Sequence, residues 1–139
     1  MKNLKINPFA ILVCVLLSMA IPAFWYGAFA EPWMANNNLT EAFINQNFSP
    51  LPYGIAFIAS MVTVYCMAWI FTKIPVTSAI QGAGMGLMLT IAFYFVTLVT
   101  QNAFSFQPFA LSLIDGGANL MTGLVTGGIL GAWRKYTVE

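Results

Sequence analysis

Four long apolar runs divide the chain, and each is long enough to cross a lipid bilayer as a helix. They cover approximately residues 8–30, 51–72, 79–101 and 112–133. At a rise of about 1.5 Å per residue, about 20 apolar residues cross the hydrocarbon core. Because backbone polar groups in lipid must be paired internally, such runs form helices. The sequence therefore predicts an all-α, polytopic membrane protein, with residues 1–139 forming a single four-transmembrane-helix bundle.

The charge content agrees with a membrane protein and excludes one class of partner. Only 6% of the residues are charged, whereas about a quarter are charged in soluble domains. The net charge is +1 and the largest basic cluster is Arg134-Lys135, so no nucleic-acid partner is expected. With no histidine and with Cys14 and Cys66 inside apolar runs, we expect no metal site, no cofactor and no disulfide.

Capping residues mark where the helices begin. Asn7-Pro8 is typical of an N-cap and first helical residue, and Ser78 with Gln81 has capping-box spacing. In the loop over residues 31–50, Asn38 and Glu41 predict a short interfacial helix. The first run has a competing interpretation as a cleaved signal peptide, because Lys2 and Lys5 precede it and Ala28-Phe29-Ala30 at its end has the A-x-A form. A retained span is preferred, since the run exceeds the ~7–15 residues of a signal core.

The basic residues predict the orientation of the bundle. Lys2, Lys5, Lys73, Arg134 and Lys135 all fall at the termini or between the second and third runs. By the positive-inside rule, both termini are cytoplasmic. Aromatic residues near both predicted membrane boundaries are interpreted as interfacial belts, namely Trp25, Tyr26, Trp33, Tyr53, Trp69, Trp133 and Tyr136.

The third and fourth runs each carry a polar stripe. Asp115 is the only ionisable residue inside the long apolar runs. At about 100° of rotation per residue, it shares one helix face with Asn119 and Thr122. We interpret the two stripes as one outer vestibule lined by Asp115, Asn119, Thr122, Gln101, Thr97, Tyr94 and Thr90, with Ser60 and Thr63 from the second run.

Asp115 has two interpretations, and the sequence leaves both open. With every lysine and arginine predicted on the opposite side, a functional carboxylate there would take up a proton or a small cation from outside. Alternatively, Ser112 and Asp115 have capping-box spacing, which would make Asp115 a structural cap in the first helical turn. Interhelical hydrogen bonds, at about 0.6 kcal/mol each, also account for the polar stripes.

Glycines recur beside the polar stripes at spacings that bring them onto common helix faces. Small residues at such spacings allow two membrane helices to approach closely. The predicted helix-packing glycines are Gly82, Gly86, Gly116, Gly123, Gly127 and Gly131. The contact they make is either within one subunit or with a second subunit.

No acid–base pair, nucleophile or metal cluster is evident, so we do not expect an enzyme. The leading hypothesis is a non-catalytic assembly or accessory component of the membrane, working as a homo-oligomer or within a larger complex. The alternative is a minimal transporter or channel for a cation or small solute that uses the vestibule around Asp115. The bilayer is the expected environment, and the sequence does not identify an ion or small-molecule substrate.

Two segments carry a resemblance to a known family. They are the segment from Ala23 to Trp33, AFWYGAFAEPW, and the segment LIDGGAN from Leu113 to Asn119, which runs on to GILGAW at Gly128–Trp133. Together they resemble the small bacterial membrane proteins of domain-of-unknown-function family 1761. The resemblance implies that Trp25, Tyr26, Trp33, Asp115 and Gly116 are the family-like positions. It further implies four helices and a bacterial inner-membrane location, with no settled activity.

Overall fold

The computed structural model describes the backbone of residues 2–138 and the side chains of residues 5–135. Four helical spans are long and apolar enough to cross a membrane, which confirms the predicted helical membrane bundle. Its elements in chain order are β1 (Lys2–Lys5), α1 (Pro8–Ala28), α2 (Ala30–Asn36), α3 (Glu41–Gln46), α4 (Leu51–Lys73), α5 (Ala79–Thr90), a π-helical turn (Ile91–Phe95), α6 (Val96–Phe104), α7 (Phe109–Ala132) and β2 (Lys135–Val138).

Two helices, α1 and α5, begin at the predicted caps. The Asn7 side chain accepts a hydrogen bond from Phe9 N, and the Ser78 side chain accepts one from Gln81 N. The short helix α3 forms in the predicted loop, but its N-cap is Thr40 and not Asn38. Asn38 has a φ of 54°, a left-handed conformation that asparagine tolerates better than most residues. Asn38 therefore lies in the turn between α2 and α3.

The first span is shorter than the predicted run over residues 8–30, and a second helix follows it. The first span ends earlier, at Ala28, and a second short helix, α2, begins at Ala30. Glu31 and Pro32 lie in the first turn of α2, where proline is tolerated because the backbone N–H there has no partner within the helix. This short helix carries Trp33 back toward the bundle.

The third span is interrupted near its middle. Between α5 and α6, the chain widens into the π-helical turn, in which Val96 N donates to Ile91 O. A π turn has hydrogen bonds from residue i+5 to residue i and so inserts one residue into the helical repeat. Side chains on α6 are therefore rotated by about 100° from the positions that an uninterrupted α-helix would give them.

The termini meet at one end of the bundle, here called the terminal end. β1 pairs antiparallel with β2, from Lys2 opposite Val138 to Lys5 opposite Lys135. Asn7 Nδ2 donates to Trp133 O at 3.3 Å, and Arg134 Nη2 donates to Phe71 O at 3.3 Å. The loop after α4 therefore lies at the same end as both termini. The sequence did not predict the two strands.

The helix α7 is central to the bundle. It packs most extensively on α5 and also on α1, whereas α4 packs mainly on α1. The buried core lies toward the terminal end and comprises Ala10, Cys14, Val15, Val64, Met67, Ala68, Phe71, Val76 and Leu130. At the opposite end, here called the far end, α4 is much less covered, since every residue from Leu51 to Ala59 is exposed.

Candidate functional site

Five glycines form the contact between α5 and α7, here called the glycine seam. They are Gly82, Gly86, Gly123, Gly127 and Gly131. A Cβ placed on Gly82 would lie 2.8 Å from the Cα of Gly131, and one placed on Gly86 would lie 3.0 Å from the Cα of Gly127. The backbones of α5 and α7 are in direct contact at these glycines, and any side chain there would clash with the opposite helix. This contact is made within one chain, between its third and fourth spans.

Above the seam, toward the far end, two aromatic rings cover the next glycines of α7. The Phe95 ring, from the π-helical turn, lies against Gly116, where an added Cβ would lie 2.5 Å from Phe95 Cε2. Gly117 faces the Trp25 ring in the same way, with its added Cβ 3.0 Å from Cη2. Trp25 Nε1 also donates to Ile114 O at 2.8 Å. The glycine pair thus makes room for one ring from each neighbouring span.

Asp115 binds two further aromatic side chains. Its Oδ1 atom accepts a hydrogen bond from the Tyr26 hydroxyl at 2.7 Å and one from Trp33 Nε1 at 3.1 Å. The rings of Tyr26 and Trp33 pack edge to face, with their centroids 5.8 Å apart. Trp25, Tyr26 and Trp33, together with Asp115, are here called the aromatic clamp. This clamp joins α1 and α2 to the far end of α7.

The interpretation of Ser112 and Asp115 as a capping box is wrong. The helix α7 begins at Phe109 after an extended Pro108, so Asp115 lies in the second helical turn. Phe109, Ala110 and Leu111 continue the apolar run and extend the helix by about one turn beyond the predicted start. Ser112 is inside the helix, 1% exposed, and its Oγ accepts from Asn102 Nδ2 at 2.8 Å.

On another side of α7, the bundle contains a cleft of about 440 Å³. Its walls are the middle of α4, from Val62 to Ile70, and the segment of the third span from Leu89 to Tyr94. Its floor is α7 between Asn119 and Thr126, and Ser18 of α1 lies behind. Each lining segment is near the middle of its span, which places the cleft at the centre of the membrane-spanning region.

The polar groups of this cleft fall into two sets. The hydroxyls of Thr90, Thr122 and Thr126 donate to carbonyl oxygens within their own helices, at 2.7–2.9 Å. Asn119 Nδ2 donates to Asp115 O at 3.0 Å. Among the described residues, no hydrogen bond engages the Asn119 Oδ1 atom or the hydroxyls of Tyr94 and Thr63. The cleft therefore presents unused donors and one unused acceptor.

The structure divides the predicted vestibule. Thr90, Tyr94, Asn119, Thr122 and Thr63 line the cleft, whereas Asp115, Thr97, Gln101 and Ser60 do not. Thr97 and Gln101 are exposed because the π-helical turn rotates α6 relative to α5. Their side chains therefore do not continue the polar face on which Thr90 lies. Asp115 is held instead by the aromatic clamp, on the side of α7 that faces Tyr26 and Trp33.

The remaining predicted interfacial aromatics lie near the ends of the bundle. Tyr53 is exposed near the far end and contacts the ring of Phe48. Trp69 and Trp133 are exposed toward the terminal end, and Lys73 Nζ lies 5.5 Å from the centroid of the Trp69 ring. The side chain of Tyr136 lies outside the described residues.

Both cysteines are free. Cys14 is buried, with its Sγ 3.7 Å from Thr126 O, and Cys66 is exposed on the wall of the cleft. In the part of the chain that the structure describes, no three His, Cys, Asp or Glu side chains converge as a metal site would require.

The aromatic clamp is the part of the site that sequence reasoning missed. The sequence placed Trp25, Tyr26 and Trp33 in an interfacial belt and treated Asp115 as an acid without a partner. Both halves of the clamp are nevertheless in the two segments that carried the family resemblance. The joint presence of those segments was the available signal that they are in contact.

These features define a small multi-pass membrane protein of four helical spans. The chain belongs to the family described as a protein of unknown function (DUF1761), whose model matches residues 9–131. The resemblance inferred from the two segments is thereby confirmed. No curated protein and no solved structure matches the chain.

Proposed function

We propose that this protein is a non-catalytic component of a bacterial cytoplasmic membrane that works by assembling with a second copy of itself. The supporting observation is the far-end half of α4, where every residue from Leu51 to Ala59 is exposed. The glycine seam, by contrast, is already occupied within the chain. The exposed half of α4 is therefore a membrane-spanning surface that is open to another helix.

The residues of this surface suit a helix–helix contact. Ala56 and Ser60 are four residues apart, a spacing of small residues that lets two helices approach closely in lipid. Gly54 is also open, with no atom within 4 Å of an added Cβ. Lipid covers an apolar helix as well as another helix does, so exposure alone does not call for a partner. The small residues are what favours another helix over lipid on this surface.

The charges support an orientation with both termini in the cytoplasm. Lys5, Lys73, Arg134 and Lys135 all belong to segments at the terminal end, whereas Glu31 and Glu41 belong to the loop at the far end. The positive-inside rule places the cationic end in the cytoplasm. The short helices α2 and α3 then lie at the outer surface, where α3 would be the interfacial helix.

The chemistry of the interior supports a non-catalytic role. General acid–base catalysis requires a titratable group within reach of the substrate. The titratable side chains that line the cleft are Cys66 and Tyr94, and no aspartate, glutamate, lysine or arginine accompanies them there as a proton-transfer partner. Asp115 is engaged by Tyr26 and Trp33, and no second acid or base accompanies it in the aromatic clamp.

Site-directed cross-linking in native membranes tests the proposed assembly. In a Cys66→Ala background, Tyr53→Cys or Phe57→Cys, which lie on the same side of α4 as Ala56 and Ser60, should form a disulfide-linked dimer on oxidation. Phe24→Cys is the matched control, because this residue of α1 is 82% exposed and also lies toward the far end. Ala56→Leu should reduce the yield at Tyr53→Cys. Equal cross-linking at Phe24→Cys, or none on α4, would rule out this interface.

Transport through a site at Asp115 is the alternative, and one observation favours it. Both aromatic donors bind Oδ1, and among the described residues none donates to Oδ2. A free carboxylate oxygen could accept a proton or a small cation from outside. This alternative requires proton- or sodium-coupled flux in liposomes that Asp115→Asn abolishes without loss of the fold. Absence of flux from the wild type would remove it.

A further inference from the structure

We infer that the intramembrane cleft is a binding site for a neutral, lipid-soluble molecule that carries a carbonyl or hydroxyl group. The cleft, rather than the exposed half of α4, carries this inference, so it does not depend on the proposed assembly. Its volume of about 440 Å³ falls within the ~300–1,000 Å³ typical of small-molecule sites.

The lining excludes charged ligands. All fifteen lining residues are uncharged, and most are apolar, including Val62, Met67 and Phe93. A charged group at the middle of a membrane is strongly unfavourable unless it is paired or hydrated. No lining residue supplies a countercharge, so a neutral molecule that already partitions into lipid is the class that this cleft fits.

The unused hydrogen-bonding groups determine what kind of neutral molecule binds. Tyr94 and Thr63 offer hydroxyl donors from opposite walls, and Asn119 Oδ1 offers an acceptor on the floor. A saturated hydrocarbon chain would satisfy none of them. A carbonyl oxygen accepts from either hydroxyl, and a ligand hydroxyl also donates to Asn119 Oδ1. A polar head of this kind is therefore preferred over a bare chain.

The π-helical turn is the local structure that shapes this wall. It lets Phe95 pack on Gly116 of α7 while the adjacent Phe93 and Tyr94 line the cleft. Single π-helical turns within α-helices are frequent at functional sites. Here the turn places the Tyr94 hydroxyl next to the apolar Phe93 ring. A ligand with one polar end and one apolar part can bind both.

Photolabelling with matched probes tests this inference. Three probes share one diazirine-bearing C12 chain and end in a methyl ketone, a hydrocarbon or a carboxylate. With the protein in lipid nanodiscs, we expect the ketone to label the cleft in preference to the exposed Ile80 of α5, as mapped by mass spectrometry. The hydrocarbon and the carboxylate should show no such preference. A hydrocarbon that labels the cleft as strongly as the ketone would identify a lipid-chain groove and overturn the inference.

Two variants connect the labelling to the cleft. Tyr94→Phe removes one donor and should reduce the affinity for the ketone by about fivefold, the effect of one ordinary hydrogen bond. Cys66→Phe should fill the cleft from α4 and abolish preferential labelling. Met61→Phe is the matched control, since Met61 is exposed on α4 but does not line the cleft. Unchanged labelling in both Tyr94→Phe and Cys66→Phe would contradict the assignment.

Discussion

The helix α7 makes two contacts of opposite kind. Against α5, its glycines bring the two backbones so close that no side chain fits between them. Toward α4, its Asn119 and Thr122 border an open cleft of about 440 Å³. The glycine seam holds the third and fourth spans together, and the cleft opens on its far-end side, with Gly123 belonging to both. The comparison shows that one helix can make a tight backbone contact on one face and border an open cleft on another, because the size of its residues changes from face to face.

The largest loss of stability is expected from a substitution in the glycine seam. Gly127→Leu should prevent folding or destabilise the protein by more than about 3 kcal/mol, because its Cβ would lie 2.9 Å from the Cα of Gly86. Retention on size exclusion and reversible unfolding in SDS measure this loss. Gly84→Leu is the matched control on α5, since an added Cβ there meets nothing within 4 Å. Equal tolerance of the two substitutions would show that the seam is not tightly packed.

An intermediate loss of stability is expected from a substitution in the aromatic clamp. Asp115→Leu leaves the Tyr26 hydroxyl and Trp33 Nε1 without their acceptor and should destabilise the protein by about 2 kcal/mol. Asp115→Asn keeps a carbonyl oxygen and should lose about half as much. The midpoint of SDS unfolding gives the stability. An Asp115→Leu protein as stable as wild type would show that the clamp has no structural role.

The smallest effect is expected in the cleft. Thr122→Val removes a hydroxyl that donates to Ala118 O within its own helix and should change the stability by less than about 0.6 kcal/mol. The same unfolding assay should place this variant close to wild type. A loss as large as that of Gly127→Leu would contradict the distinction between the two faces of α7.

The sequence predicted those parts of the fold that depend on local chemistry. Apolar runs located the four spans, and Asn7 and Ser78 marked two helix starts through side-chain caps. The start of α7 was misplaced because Pro108 begins the helix without a side-chain cap hydrogen bond, and Ser112 offered a more familiar pattern. Helix starts without capping side chains leave little local signal.

The candidate site was predicted only in part, because its geometry depends on contacts between distant segments. An uninterrupted helical repeat placed Thr97 and Gln101 with Tyr94, and the inserted residue of the π-helical turn separated them. The partners of Asp115 lie more than 80 residues earlier in the chain. Periodicity within one helix could not predict them, although the paired family segments pointed to them.

The pairing of β1 with β2 has a consequence for biosynthesis. One strand precedes all four spans and the other follows them, so all four spans are synthesised before the two strands can meet. During translation, α1 enters the bilayer long before α7, its main neighbour near the centre of the bundle. By contrast, α5 and α7 are separated by only one turn and α6, so their seam can close first. The first span would then pack last, against the hairpin of the third and fourth spans, which has already formed.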